Sequence, residues 1–224
     1  MKSAVRLSFG GISLVLYSTR VKKKVVEKIR FIVGVDEAGR GPLAGPVAVG
    51  IAVVPYDFDW NQIPNVGDSK KVSEKNREAI FKLTKKLQKE GVLRYHVSLI
   101  PSNTIDRINI RKAVLLGIER SLLKLKLNPE ECDVRLDGLL HAPKIFKKQQ
   151  TIIKGDAKEK VIGLASIMAK VTRDRYMVRI ASQYPSYGFA IHKGYGTLKH
   201  RTALEKHGLS KIHRKTFCKK YLQE

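Results

Sequence analysis

Apolar and polar positions along this chain repeat with two different periods, and the points where the period changes divide it into elements. Phe31 to Val35 and Val47 to Val54 are apolar runs, the second rich in β-branched residues, and both read as strands. Pro55 to Lys71 is broken up by Pro, Asp, Asn and Gly and reads as a turn region. Ser73 then caps a helix over Glu74 to Lys89, and Val92 to Leu99 predicts a third strand. Pro101-Ser102-Asn103 opens a helix that carries Ile105, Ile108, Val114, Leu115, Ile118, Leu122 and Leu123 near one face. Strand character returns at Val134 to Leu136 and at Thr151-Ile152-Ile153. Lys158 to about Gln183 predicts a long helix with Val161, Leu164, Ala165, Met168 and Val171 on a stripe. The order predicts an α/β fold with a mixed five-stranded sheet flanked by helices.

Charge adds a partner to this picture. The chain of 224 residues has 44 Lys and Arg against 20 Asp and Glu, a formal net charge of +24. Phosphate neutralisation by such a surface gives sequence-independent, salt-sensitive affinity, so nucleic acid ranks first among partners. No apolar run is long enough to span a membrane, and a cytoplasmic monomer is expected. Residues 1–30 hold eight basic residues and one acid, Glu27, which gives 8 − 1 = +7 of the excess. They read as a loosely ordered basic extension, or as the product of a start codon placed upstream, leading into a basic strand or arm near Arg30. Met1 to Tyr17 has polar and glycine interruptions and no clear cleavage site, so export is not expected. The main domain is then 31–224, with a helical basic segment from about 184. Cys132 and Cys218 have no metal-ligand spacing and read as free thiols.

The candidate chemistry is acidic. Asp36 and Glu37 stand between the first apolar run and the glycine-proline segment Gly39 to Val47, and Asp137-Gly138 and Lys154-Gly155-Asp156 follow the fourth and fifth strands. In open α/β sheets functional side chains gather outside strand ends, so acids remote in sequence can meet there. Three strands finishing in an acid are expected to converge. In an extended strand Asp36 and Glu37 point to opposite sides, so the glycines are expected to bend the backbone and bring both to one ion. Oxygen-only ligands favour Mg²⁺ or Mn²⁺. Gly39-Arg40-Gly41 with Ala44 also fits the dinucleotide pattern, but Pro42, Pro46 and the β-branched run that follows point to a strand where that site opens a helix, so no nucleotide cofactor is expected.

Val35-Asp36-Glu37-Ala38-Gly39-Arg40-Gly41-Pro42-Leu43-Ala44-Gly45-Pro46-Val47 resembles the opening signature of the ribonuclease HII family. Asp68-Ser69-Lys70-Lys71, Leu136-Asp137-Gly138, Lys154-Gly155-Asp156, Ala165 to Asp174 and His192 to Thr197 resemble its further blocks in order, so the likeness spans about residues 31 to 218. The related HIII type is similar but usually carries a separate N-terminal domain, for which about thirty residues leave no room. The resemblance implies an RNase H-like fold and hydrolysis of RNA in an RNA–DNA hybrid or at ribonucleotides embedded in duplex DNA. It also implies two divalent ions on Asp36, Glu37, Asp137 and Asp156, and products with 5′-phosphate and 3′-hydroxyl ends. It implies that the Gly39-Arg40-Gly41 backbone senses a 2′-hydroxyl, that Arg40 and Lys70 meet phosphate, and that Tyr195 stacks on the deoxyribose after the scissile ribonucleotide.

Other residues read more plainly. Asp174 is expected to pair with Arg173 or Arg175. Most of His192, His200, His207 and His213 read as polar surface. Lys193 to Lys220, with nine Lys and Arg, reads as a phosphate-gripping helical face. A non-catalytic nucleic-acid binder would share the charge, and another nuclease of the same fold would share the acids; the glycine segment and Tyr195 argue for ribose sensing.

Overall fold

The structure, a computed structural model, describes residues 4–9, 12–17, 29–67 and 71–221. Strands β1 (Ala4–Phe9) and β2 (Ile12–Tyr17) form an antiparallel hairpin that the hydrophobic pattern does not predict. The rest of the basic extension up to residue 28 lies outside the described residues.

The second sheet holds β3 (Phe31–Ala38), β4 (Val47–Pro55), β5 (Arg94–Ile100), β6 (Cys132–Asp137) and β7 (Gln149–Ile152) in the order β5-β4-β3-β6-β7. β3–β4 and β4–β5 are antiparallel, while β3–β6 and β6–β7 are parallel. β4 is covered on both faces, which is why its sequence is apolar throughout and not alternating. Val33, Val35, Val49 and Ile51 face α3 (Ile110–Leu125), and Ala52 and Val54 face α1 (Glu74–Lys89) and α5 (Lys160–Ala181). Since side chains alternate along a strand, Gly34 and Asp36 share the α5 side.

Two glycines set how near α5 comes. A Cβ on Gly34 would lie 2.1 Å from the Val161 carbonyl oxygen, and one on Gly50 would lie 2.3 Å from that of Ala165. The helix backbone rests directly on the sheet backbone.

Several boundaries differ from the sequence expectation. β3 does not stop at Val35: its ladder with β4 continues through Asp36↔Gly50, Glu37↔Val49 and Ala38↔Ala48, and the turn comes at Gly39, at φ 89°. The glycines therefore bend the chain after the acids and not between them. The third strand begins at Arg94 and not Val92, because α1 gives way first to a turn at Gly91, at φ 75°. The helix after Pro101 is two helices, α2 (Ser102–Ile108) and α3, broken at Asn109, whose φ of 67° is incompatible with a continuous helix and whose side chain caps the Lys112 amide. The long helix starts at Lys160, since extended Glu159 separates it from the short α4 (Gly155–Lys158). β7 includes the polar Gln149, which sits on an edge strand and bonds the Ala142 amide and the Phe146 carbonyl.

After α5 the chain forms α6 (Phe189–His192), α7 (Leu198–His207) and an irregular tail. These pack Tyr187, Phe189 and Leu204 around Ala44, Met177 and Ile180. Cys132 and Cys218 are buried free thiols. Among the described residues no helix is long and apolar enough to cross a membrane.

Candidate active site

β3 and β6 carry the central acids because they run in parallel with Val35 opposite Leu136, so the next residues, Asp36 and Asp137, lie side by side. Asp36 is 5% exposed; its Oδ1 accepts the Glu37 amide at 2.7 Å, and the Ser166 hydroxyl of α5 donates to it. Burial, then the negative charges of Glu37 and Asp137, hold its carboxyl well above the usual range. Burial raises Glu37 as well, although Arg40 Nη1 donates to its Oε1 at 3.1 Å, and its Oε2 is buried without a partner. Asp137 Oδ1 accepts the Gly155 amide at 2.7 Å, which ties the end of β6 to the start of α4. Asp156 is not at a strand end as expected: it sits in the first turn of α4, beyond Ile152 where β7 finishes, and comes in on that helical turn.

These acids line one cavity of about 430 Å³ together with Gly39, Arg40, Gly41, Ser166, Lys170 and Tyr195. Every site residue expected from the sequence is thus brought together except Lys70, which lies outside the described residues with Asp68 and Ser69. Ser166 and Lys170 also line the cavity, although the sequence does not mark either as a site residue. Their i, i+4 spacing on a helix with few exposed positions was the available signal.

The Tyr195 loop is built by residues that the sequence reading placed elsewhere. The Gly194 carbonyl accepts the Leu43 amide at 2.9 Å, and a side chain on Gly194 would strike the Ala44 carbonyl at 2.4 Å, so this loop docks on the glycine-proline segment. His192, His200 and His213 are buried, not surface polar groups, and only His207 of the four is exposed. Their partners explain this: His192 Nδ1 accepts the Gly194 amide at 3.2 Å, His200 Nδ1 donates to the Tyr195 carbonyl at 2.9 Å, and His200 Nε2 meets His213 Nε2 at 3.0 Å. Burial lowers the pKa of all three, that of His213 to about 4, and the neutral rings form a clamp behind Tyr195. Tyr195 is 40% exposed, with Lys170 Nζ at 5.7 Å and Arg173 Cζ at 5.6 Å from its ring centre.

Asp174 pairs with Lys170 at 2.9 Å and not with its arginine neighbours, since Arg175 reaches Glu78 and Arg173 turns inward to carbonyls. Arg214, one of the nine cations expected on a phosphate-gripping face, is fully buried and belongs to no exposed face.

A cation fits the donors present. They are oxygen atoms only, they repel one another, and Glu37 Oε2 is buried and unsatisfied. Among the described residues no three His, Cys, Asp or Glu form a ready-made cage, and the thiols and imidazoles that zinc prefers are absent from the lining.

A mixed five-stranded sheet with helices on both faces and carboxylates at the adjoining ends of its parallel central strands defines an RNase H-like enzyme. The solved ribonuclease H2 of Pyrococcus horikoshii OT3 has this fold, with a TM-score of 0.66 at 28% identity over 85% of this chain and 96% of that one. A ribonuclease HIII solved in complex with Mn²⁺ shares the fold at a TM-score of 0.62 and 18% identity, covering 88% of this chain and 70% of that one. The family profile described as Ribonuclease HII matches residues 33–220. The ribonuclease HII of Endomicrobium trichonymphae is 47% identical over 83% of this chain and 84% of its own length, and that of Caldicellulosiruptor bescii 45% identical over 90% and 93%. The chain belongs to the ribonuclease HII family, and its activity is that of a ribonuclease H on RNA–DNA hybrids.

Proposed function

We propose that this enzyme cuts the RNA strand of hybrids, and single ribonucleotides embedded in duplex DNA, by two-metal hydrolysis. Asp36, Glu37, Asp137 and Asp156 hold two Mg²⁺ or Mn²⁺ ions, Asp36, Glu37 and Asp137 innermost. The observation that carries this reading is the meeting of the four carboxylates with the glycine loop and Tyr195 in one cavity. When bound, the ions supply an activated water and neutralise charge on the departing 3′-oxygen, which leaves 5′-phosphate and 3′-hydroxyl ends. Among the described residues no full protein cage exists, so ions held by these carboxylates would take water and phosphate oxygens as further ligands, as Mg²⁺ commonly does. The Mn²⁺ complex of the HIII neighbour is in keeping with this.

The chain's own groups do the rest. Ser166 holds the Asp36 carboxylate in place through its hydroxyl. Arg40 pairs with Glu37, and its half-exposed guanidinium would be available to the neighbouring phosphate if a cation took over the balancing of Glu37. The Arg40 and Gly41 backbone approaches the ribose, whose 2′-hydroxyl separates RNA from DNA. Tyr195, clamped from behind and open in front, stacks on the following deoxyribose and selects an RNA-to-DNA junction. Lys70 is assigned to phosphate.

The test is a labelled DNA duplex with one ribonucleotide, incubated with Mg²⁺, Mn²⁺ or EDTA. Cutting 5′ to the ribonucleotide that EDTA abolishes is the expected result; cutting that survives EDTA removes the metal reading, and an intact duplex removes the junction reading.

Gly41 gives a sharper handle on ribose sensing. Its φ is not positive, and a Cβ there would meet no protein atom within 4 Å, so the fold does not require glycine at this place. Gly41→Ala should melt like the wild type and yet lower kcat/KM on the single-ribonucleotide duplex by about 10²-fold, through loss of close backbone approach. Wild-type kcat/KM in that variant would remove the loop from recognition.

A further inference from the structure

Arg173 on α5 and Arg214 in the C-terminal tail are the largest fully buried side chains among the described residues, at 1% and 0% exposed. Burying a cation is expensive unless a charge or a set of dipoles answers it. Neither arginine forms an ion pair among the described residues; Arg214 gives Nε, Nη1 and Nη2, and Arg173 gives Nε and Nη2, to carbonyls of the loop Gly39–Pro46, while Arg173 Nη1 is buried without a partner among the described residues. Arg214 donates to Gly39 and Arg40 at 2.7 Å each and to Gly45 at 3.0 Å, and Arg173 donates to Pro46 at 2.9 Å and Ala44 at 3.2 Å. The Leu43 carbonyl also accepts the Arg214 amide, at 2.8 Å.

The consequence follows from peptide geometry. A trans peptide unit is planar, with its C=O and N–H pointing in opposite directions. Holding the Gly39 and Arg40 carbonyls inward therefore turns the Arg40 and Gly41 amides outward, on the side where these two residues are exposed and line the cavity. Among the described residues those two amides have no acceptor, whereas those of Leu43, Ala44 and Gly45 are used within the protein. Arg173 fixes the base of the same loop: its Nε lies where a Gly39 side chain would be, 2.1 Å from that Cβ position.

We propose that Arg214, backed by Arg173, is a positioning residue for ribonucleotide recognition, acting through the loop peptides to aim the Arg40 and Gly41 amides at the 2′-hydroxyl of the scissile nucleotide. This rests on the assignment of the loop to the ribose. It also accounts for two cations buried side by side, an arrangement that lowers the Arg214 pKa to about 9 through burial and through Arg173. A pair of positive charges behind the loop favours an anionic strand in front of it. Lysine cannot replace this fork, because one ammonium cannot reach three carbonyls in the same plane.

Amide exchange followed by NMR tests the geometry in the wild type. In the free enzyme the Arg40 and Gly41 amides should exchange far faster than those of Leu43 and Gly45. In EDTA, an RNA–DNA hybrid should slow them at least about tenfold, and a DNA duplex of the same sequence should not. Kinetics of Arg214→Lys and Arg173→Lys test the residues: kcat on the single-ribonucleotide duplex should fall about tenfold to 10²-fold with KM within about threefold. Leu122→Ala, across the sheet on α3, should lower the melting temperature and leave kcat unchanged. Slow exchange of both amides in the free enzyme overturns the proposal even if neither lysine variant folds. Unchanged kcat in a folded Arg214→Lys overturns the positioning role alone, provided the hybrid protects the amides; a hybrid that leaves them unprotected defeats the ribose assignment instead.

Discussion

Asp36→Asn is expected to lower turnover on an RNA–DNA hybrid by on the order of 10³-fold while raising the melting temperature of the metal-free enzyme at neutral pH. The two effects share one cause. The Asp36 carboxyl is buried beside Glu37 and Asp137, and its pKa stands well above the ordinary carboxylate value. A folded pKa raised above the unfolded one means that the stability contributed by this group is fully present below the unfolded value of 3.8 and is lost as pH rises through the folded value. Glu37 is shifted in the same direction, so the two add to a charge conflict that grows towards neutral pH. Asparagine keeps an oxygen for the Glu37 amide, at nearly the same size, and never ionises. The gap in melting temperature between variant and wild type should thus widen from about pH 4 to about pH 7 and narrow when Mg²⁺ or Mn²⁺ is added, because a cation gains more from the native carboxylate than from the amide. Wild-type turnover in Asp36→Asn would take this residue out of the chemistry. A wild-type enzyme as stable as the variant at pH 7 without metal would show that the buried acids are not in conflict.

The sequence carried the acids and the loops of this site well, and their supports badly. Asp36, Glu37, Asp137, Asp156, the glycine segment and Tyr195 are legible because each breaks a local pattern: a charge after an apolar run, or an aromatic between glycines. What holds them is not legible, because its partners are remote. Arg214 looks like one more surface cation in a basic tail until Gly39, Arg40 and Gly45 are brought against it. His200 and His213 lack any ligand spacing because they serve each other and a backbone carbonyl, a use of imidazole that leaves no periodic signature. The β-branched run Thr151-Ile152-Ile153 points to a strand that ends near Asp156; the Lys154 backbone at φ 57° ends that course and starts α4. The element boundaries that moved, at Asn109 and Glu159, are single residues whose backbone angles depend on caps and packing rather than on composition.

Gly34 is the clearest case of a residue whose sequence context hides its function, and substituting it should have the largest effect on stability. In the sequence it is one residue of the run Phe31 to Val35, yet the atoms that a Gly34 Cβ would meet are all backbone: Val161 O at 2.1 Å, Val161 C at 2.3 Å and Ile162 N at 2.7 Å. Backbone cannot swing aside as a long side chain does, so α5 must lift from β3 by roughly 1 Å or more in Gly34→Ala. Overpacking of this kind costs about 3 kcal/mol, which lowers the melting temperature of a domain this size by about 10 °C. The same displacement draws Ser166 and Lys170 of α5 away from Asp36 of β3, with which they line one cavity, so activity should fall by about 10²-fold even where the variant is fully folded. Gly91→Ala separates packing from backbone strain: its φ is 75° but a Cβ there meets nothing within 4 Å, so it should lose little stability by comparison and no activity. A Gly34→Ala enzyme that melts and turns over like the wild type would mean that the contact of α5 with the sheet does not set the spacing of the carboxylates and the helix groups opposite them.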